Sequence, residues 1–307
     1  AAPAKRRHRG ASQDRRVDAG QVIEPTWGHV FPAPAKINLF LHVVGRRPDG
    51  YHSLQTAFRL LDHGDLLRFA PREDGRVCRA TALPGVPEEI DLCLRAARAL
   101  QREADSRLGV TISLDKRLPL GGGLGGGSSD AATTLLALNR LWAVHMSRDD
   151  LQRLALALGA DVPFFVFGRS AFGEGVGEVL RPIDLPSAWY VVVEPPVAVS
   201  TAEIFAAEDL TRDTEPIKIA DFSASCSELF GRNDLQPVVC RRHPEVARAL
   251  AWLDRFAPAR MSGSGACVFA VFRDQAAAQA VLAELPRQWR GWMARGLDRH
   301  PLEHFAE

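Results

Sequence analysis

Six glycines within seven positions constrain this chain more than any other feature. They run Gly121-Gly122-Gly123-Leu124-Gly125-Gly126-Gly127 and lead into Ser128, Ser129 and Asp130. Glycine is entropically costly to order, so such a run persists where backbone must take positive φ or lie against something large. Leu135, Leu138 and Trp142 follow at helical spacing, and Ala131 and Ala132 keep the first turn slim. The pattern predicts a helix, with Ser128, Ser129 or Asp130 as candidate caps. Its free N–H groups and positive dipole end then face the glycine loop, which is a physical recipe for holding phosphate.

The loop is of neither common type. A Walker A loop needs Gly-Lys-Ser/Thr at its end, and here Gly127 precedes Ser128. Gly121, Gly123 and Gly126 satisfy Gly-x-Gly-x-x-Gly after a predicted strand at 109–114. The acidic residue that should end the next strand is missing, because Asp149 and Asp150 open another helical pattern. A flexible linker fits poorly, since an apolar helix follows at once.

At 307 residues the chain suits two domains with real cores. A formal net charge of +1 supplies no global field for nucleic acid or membrane. No apolar run reaches the length needed to span a bilayer. Cys78, Cys93, Cys226, Cys240 and Cys267 are scattered without paired metal spacing. The odd count and the lack of a secretory-type segment predict reduced thiols in a cytoplasmic protein. Residues 1–24 carry six basic residues (Lys5, Arg6, Arg7, Arg9, Arg15, Arg16) against Asp14, Asp18 and Glu24, a net of +3. Residues 1–27 therefore read as a basic, disordered extension.

Ile37 to Val44 alternates as a strand, with Ile37, Leu39, Leu41 and Val43 on one face and Lys36, Asn38 and Phe40 on the other. A lysine and an asparagine side by side suit hydroxyls or phosphates. Pro48-Asp49-Gly50 signals a turn, and Tyr51 and His52 beyond it offer an aromatic face and a ring nitrogen to a flat base. Helices are predicted over 88–104 and 149–158. The second ends at Gly159 and delivers Asp161 to a helix-to-strand corner among Val162, Phe164 and Phe165. Apolar surroundings raise a carboxylate's pKa, which suits a general base. A smaller region begins near Leu185, with a strand over 189–193, a polar loop over 211–234 and a helix over 245–256. A second glycine turn, Ser262-Gly263-Ser264-Gly265, precedes a strand and a helix over 274–285. Strands and helices alternate, giving an α/β or α+β protein.

Three segments together resemble the GHMP kinases, a superfamily that phosphorylates small-molecule alcohols with ATP and has no Walker A loop. They are Pro34-Ala35-Lys36-Ile37-Asn38-Leu39, the glycine stretch 119–130, and Ser262-Gly263-Ser264-Gly265. Pro48 to Thr56 and Gly159 to Phe165 are similar to the branch that acts on a cytidylylated methylerythritol in the non-mevalonate isoprenoid route. The resemblance implies an α+β, two-lobed fold. An ATP-binding lobe over 28–182 and a smaller ferredoxin-like substrate lobe over 183–307 would flank a cleft. It implies ATP and Mg²⁺, a small-molecule acceptor, and a monomer or weak dimer. Lys36 and Asp161 would be the catalytic pair. Pro119, Leu120, Gly121, Gly122, Gly123, Leu124, Gly125, Gly126, Gly127, Ser128 and Ser129 would wrap ATP, with Ser128 or Ser129 near Mg²⁺. Tyr51 and Phe205 would cover the two faces of the cytosine, with His52 at its edge. Lys36, Asn38, Thr201, Gly263 and Gly265 would contact the rest of the acceptor. Ala202 stands where the family usually has a proline after the threonine.

Overall fold

The computed structural model describes residues 26–225 and 230–306. Most of the predicted basic extension and Cys226 lie outside them. Cys78, Cys93, Cys240 and Cys267 are free thiols.

The first lobe is built on one long hairpin. β1 (Phe31–Arg46) is buried from Phe31 to Val43, because it is covered on both faces. The turn at Arg47–Tyr51 closes through Arg47 N–H donating to the Tyr51 carbonyl at 2.8 Å, with Gly50 at φ +88°. β2 (His52–Arg72) then runs 21 residues and acts as a spine. One edge of β2 pairs with β1. The other meets in turn β5 (Ala171–Gly175), the C-terminal strand β10 (Arg290–Leu297) and β4 (Gly109–Asp115). Register shifts interrupt β1 between Asn38 and Phe40. Such bulges break the period of two. Phe40 accordingly packs in the same apolar cluster as Ile37 and Leu39, not on the Lys36 face where strict alternation put it.

β3 (Val77–Arg79) lies parallel to β4, and β6 (Val179–Pro182) extends β5. Four helices cover this sheet: α1 (Leu92–Glu103), α2 (Gly126–Leu141), α3 (Arg148–Leu156) and α4 (Val162–Phe167). The helix expected from residue 88 begins four residues later. The Asp91 carboxylate accepts from the N–H groups of Cys93 and Leu94 at 2.9 and 3.2 Å and so caps it there. Ile90 is left 59% exposed. α2 is the central helix, buried from Ser129 to Asn139. Its small residues let it sit tight on β1, where Ser129 and Thr133 hydroxyls donate to the carbonyls of Pro34 and Pro32.

The second lobe contains β7 (Trp189–Glu194), α5 (Thr201–Phe205), α6 (Ile219–Ser225), α7 (Gln236–Arg242), α8 (Pro244–Leu253), β8 (Ala259–Met261), β9 (Val268–Phe272), α9 (Gln275–Ala283) and β10 (Arg290–Leu297). α6 falls inside the stretch expected to be loop. The strand order β10-β7-β9-β8 is antiparallel throughout, which is the ferredoxin-like arrangement. Val191 and Val193 face the helices of this lobe, while Tyr190 and Val192 join Ile37, Leu39 and Phe40 in an apolar layer between the lobes. β10 joins the two sheets, pairing with β7 along its length and with Leu60 and Leu61 of β2 at its end.

After β10 the chain returns to the first lobe, although residues to 307 had been expected in the second. Leu302, Phe305 and Ala306 enter the core formed by Phe31, Phe69 and α2. Arg140 Nε donates to the Phe305 carbonyl at 2.9 Å and Arg148 Nη2 to the Glu303 carbonyl at 2.8 Å, which pins the tail. Phe305 is 1% exposed and lies 6.1 Å from the Phe31 ring. Phe305→Ala is therefore expected to destabilise the chain by about 3–5 kcal/mol, read from the denaturant midpoint. Leu156→Ala, at a position 45% exposed, should stay within about 0.5 kcal/mol of the parent.

Candidate active site

The glycine loop takes its shape from alternating left-handed residues: Gly121, Gly123 and Gly125 have φ of +67°, +74° and +70°. α2 starts at Gly126 behind Gly125, with no side chain bonded to its end. The expected serine or aspartate cap is absent because the helix begins earlier than the apolar pattern suggested. Ser128 to Asp130 lie inside its first turns. An uncapped helix start leaves its first N–H groups without intrahelical partners, and these point into the loop.

Packing leaves no room for a side chain at Gly122, Gly123 or Gly125. A Cβ on Gly123 would sit 2.1 Å from the Ser262 carbonyl oxygen, and one on Gly125 would meet the Phe165 ring at 2.9 Å. The Leu124 carbonyl accepts from Lys36 N–H at 3.0 Å, and the Gly122 carbonyl from Cys267 N–H at 3.1 Å. Ser262 Oγ donates to the Gly123 carbonyl at 2.8 Å and accepts from Asn38 N–H at 3.3 Å. The three sequence segments are thereby one structure.

Beneath the loop lies a buried ionic cluster that the sequence did not announce. Asp65 on β2 is fully buried and accepts from the backbone N–H groups of Arg117 and Leu118 at 2.6 and 2.8 Å. Lys116 Nζ joins it to Asp130 of α2 at 2.5 and 2.7 Å. The cluster ties the entry of the loop to its exit. Burial first, and the Asp65 carboxylate second, push the Asp130 carboxyl well above the usual carboxylate range.

Lys36 is 3% exposed. Its Nζ donates to Asn38 Oδ1 at 2.6 Å and lies 3.2 Å from Asp161 Oδ2. Asn38 Nδ2 in turn donates to Thr56 Oγ1 at 2.8 Å, which fixes the amide with its oxygen toward the lysine. A buried ammonium is tolerated only when paired and hydrogen-bonded in this way. Asp161 sits where α3 gives way to α4, a helix-to-helix corner and not the expected helix-to-strand one. Val162, Phe164 and Phe165 turn into the core, while the Asp161 side chain stays 35% exposed beside Lys36. The apolar neighbours therefore do not enclose the carboxylate.

The cleft between the lobes has a volume of about 840 Å³. It is lined by Lys36, Asn38, Tyr51, His52, Asp161, Thr201, Phe205, Gly263 and the loop from Pro119 to Ser128. Two expected residues stand behind its wall. Ser129 is wholly buried, its hydroxyl donating to the Pro34 carbonyl at 2.7 Å, and Gly265 shapes the turn by donating its N–H to the Ser262 carbonyl. At the far end, Tyr51 is 64% exposed at the rim, and the His52 and Phe205 rings lie 5.1 Å apart with a 31° tilt. Thr201 shares a 2.6 Å hydrogen bond with Ser264. Burial first, then the charges of Arg212 and Arg46, lower the His52 pKa below its ordinary value. Thr56, Arg212 and the Asp65 cluster escaped the functional reading of the sequence. An acid within a long strand, or an arginine in a polar stretch, has no distinguishing local pattern.

Residues 91–169 match the family described as GHMP kinases N terminal domain, and residues 210–291 match GHMP kinases C terminal. The chain is 65% identical to the 4-diphosphocytidyl-2-C-methyl-D-erythritol kinase of Aromatoleum aromaticum, over 90% of this chain and 95% of that protein. It is 63% identical to the enzyme of the same name from Thiobacillus denitrificans, over 90% and 98%. A crystal structure of 4-(cytidine 5'-diphospho)-2C-methyl-D-erythritol kinase, 35% identical, superposes with a TM-score of 0.77 over 87% of this chain and 99% of that one. The mevalonate kinase of Methanococcus jannaschii, 15% identical with a TM-score of 0.65, shares the fold over 88% of this chain and 98% of its own. With its two family domains, its ferredoxin-like second lobe and relatives this similar over nearly their whole length, the chain belongs to the GHMP kinases, in the family of the 4-diphosphocytidyl-2-C-methyl-D-erythritol kinases.

Proposed function

We propose that this chain transfers the γ-phosphoryl group of ATP to the 2-hydroxyl of 4-diphosphocytidyl-2-C-methyl-D-erythritol, a step of the non-mevalonate isoprenoid route. The observation that carries the reading is the Lys36–Asp161 pair, 3.2 Å apart in the cleft beside the glycine loop. Asp161, exposed to the cleft, takes the proton of the attacking hydroxyl. Lys36, held by Asn38 and Asp161, fixes that hydroxyl and offsets the negative charge that develops in transfer. A bond forms between the acceptor oxygen and the γ-phosphorus, the bond to the β,γ-bridging oxygen breaks, and ADP leaves. Phosphoryl transfer is mostly positioning and electrostatics, so a base, a cation and a phosphate cradle are sufficient equipment.

The loop fits a polyphosphate: its glycines are stripped of side chains and the uncapped N–H groups of α2 converge on it. Mg²⁺, when bound with ATP, neutralises phosphate charge. Ser128 lines the cleft and would be the serine to meet it, since the Ser129 hydroxyl is committed to Pro34. Mg²⁺ characteristically binds through substrate phosphates and waters with few protein ligands. Among the described residues no cluster of three acidic, histidine or cysteine side chains is placed to hold a metal, and no helix is long and apolar enough to cross a membrane. At the rim, Tyr51, His52 and Phe205 form the cytosine subsite, and Asn38, Thr201 and Gly263 face the remainder of the acceptor.

Release of ADP from Mg-ATP should be seen with the cytidylylated methylerythritol and not with homoserine or mevalonate. Turnover of either control alone would discard the substrate assignment. Asp161→Asn and Lys36→Ala should each lower kcat by about 10²–10⁴-fold, the usual worth of a positioned acid–base group, while ATP binding by calorimetry persists. Near-normal kcat in either variant removes that residue from the pair. Tyr51→Ala and Phe205→Ala should raise the acceptor KM and leave the ATP KM alone.

A further inference from the structure

Arg212 makes contacts that the reaction itself does not call for. It follows α5 in the second lobe, and its Nε donates to His52 Nε2 at 3.0 Å across the cleft rim. Its Nη2 donates to the carbonyls of Phe205 and Ala207 at 3.0 and 2.6 Å, and Nη1 to that of Leu210 at 3.1 Å. Among the described residues no carboxylate pairs with it. The guanidinium thus joins two members of the base subsite, His52 from the first lobe and Phe205 from the second. Its donors are spent on fixing their separation.

The contact also dictates chemistry. A guanidinium has donors and no acceptor, and it does not lose its proton in proteins. His52 Nε2 must therefore present a lone pair. An imidazolium would set N–H against N–H, so the ring is neutral and its proton resides on Nδ1. The charged groups facing the ring are Arg212 and, from the opposing position of the β1–β2 hairpin, Arg46. Both are cations, and both disfavour a second positive charge. Nδ1 has no hydrogen-bond partner among the described residues, and His52 lines the cleft.

We propose that Arg212 is a positioning residue that locks His52 as a neutral Nδ1–H donor and thereby selects a 4-aminopyrimidine base over a 4-oxo one. This rests on the cytidylyl reading of the same subsite. The ring nitrogen N3 of cytosine is an acceptor and receives the Nδ1–H. In uracil N3 carries a hydrogen, and two donors would meet in a desolvated slot. Burial and the two arginines lower the His52 pKa below its ordinary value, which favours the same neutral ring.

A two-bond ¹H–¹⁵N correlation spectrum of the unmutated chain tests the tautomer directly, with the His52 signal assigned by its loss in His52→Gln. The expected result is a protonated Nδ1 and a pyridine-like Nε2 at pH 7. A protonated Nε2, or an imidazolium at that pH, overturns the proposal. Arg212→Gln should raise the acceptor KM by about 10- to 100-fold, the cost of a mispaired polar contact, with kcat and the ATP KM nearly retained. Its preference for the cytidylyl over the uridylyl acceptor should fall. Its acceptor KM should gain a rise toward low pH, because removing one cation lets the His52 pKa move back toward 6.5. Arg212→Lys, which keeps the charge but not the fork, should recover part of the preference. An active Arg212→Gln enzyme with the parental base preference and a flat pH profile sinks the idea. Failure of the underlying substrate reading looks different: the unmutated chain would not turn over the cytidylyl compound whatever the spectrum shows, and base selection would fall with it.

Discussion

Everything in the cleft depends on a backbone-to-backbone approach between Gly123 and Ser262. The space there is too small for any Cβ, and the Ser262 hydroxyl fills it with hydrogen bonds to the Gly123 carbonyl and the Asn38 N–H. Three segments that together span more than two hundred residues of sequence are brought to one point by that contact. The Lys36 N–H holds the next carbonyl of the loop, so the strand that supplies the candidate cation also sets the height of the proposed phosphate cradle. A displacement at this junction would move cation, cradle and acceptor site together.

Two buried ionic groups flank the junction, and they are built on different terms. Lys36 reaches the cleft and shares its charge with an amide oxygen and a partly exposed carboxylate. This leaves the pair open to an acceptor hydroxyl. Lys116 lies between two buried acids, Asp130 and an Asp65 that also accepts two backbone N–H groups, and none of the three lines the cleft. The first arrangement is chemically available, and the second is a fastener. Desolvated ion pairs of this kind resist partial disruption, because removing one partner strands the other charge. Such a fastener gives a glycine-rich loop a fixed shape despite its conformational freedom.

The lobes share more than a cleft. β10 belongs to both sheets, an apolar layer containing Tyr190, Val192, Ile37 and Leu39 lies between them, and the last residues return to the first core. At the rim, Arg212 adds a polar tie between the lobes beside the proposed base subsite. The walls of the cleft are therefore anchored from behind and at the mouth, which suits chemistry that relies on positioning.

Much of this was legible in the sequence because it is local. The run from Gly121 to Gly127 announces a loop for a large anion. Lys36 and Asn38 lie two apart on a strand, and Gly159 delivers Asp161 from the end of a helix. Short-range spacing and backbone freedom suffice for those. The start of α2 at Gly126 was not legible, since glycines carry no helical pattern and the apparent serine caps mask the true end. Nor was the shift of Phe40 to the other face, which a bulge imposes. The division of labour between Ser128 and Ser129 waited on Pro34, ninety-five residues before the second serine. Arg212 in a polar stretch became meaningful only beside His52, and Asp65 only beneath the loop that it fastens. Sequence by itself determined which residues have the chemistry and the backbone freedom for the site. Tertiary structure decided which of them reach the cleft, because that depends on contacts between segments whose separation along the chain carries no periodic signal.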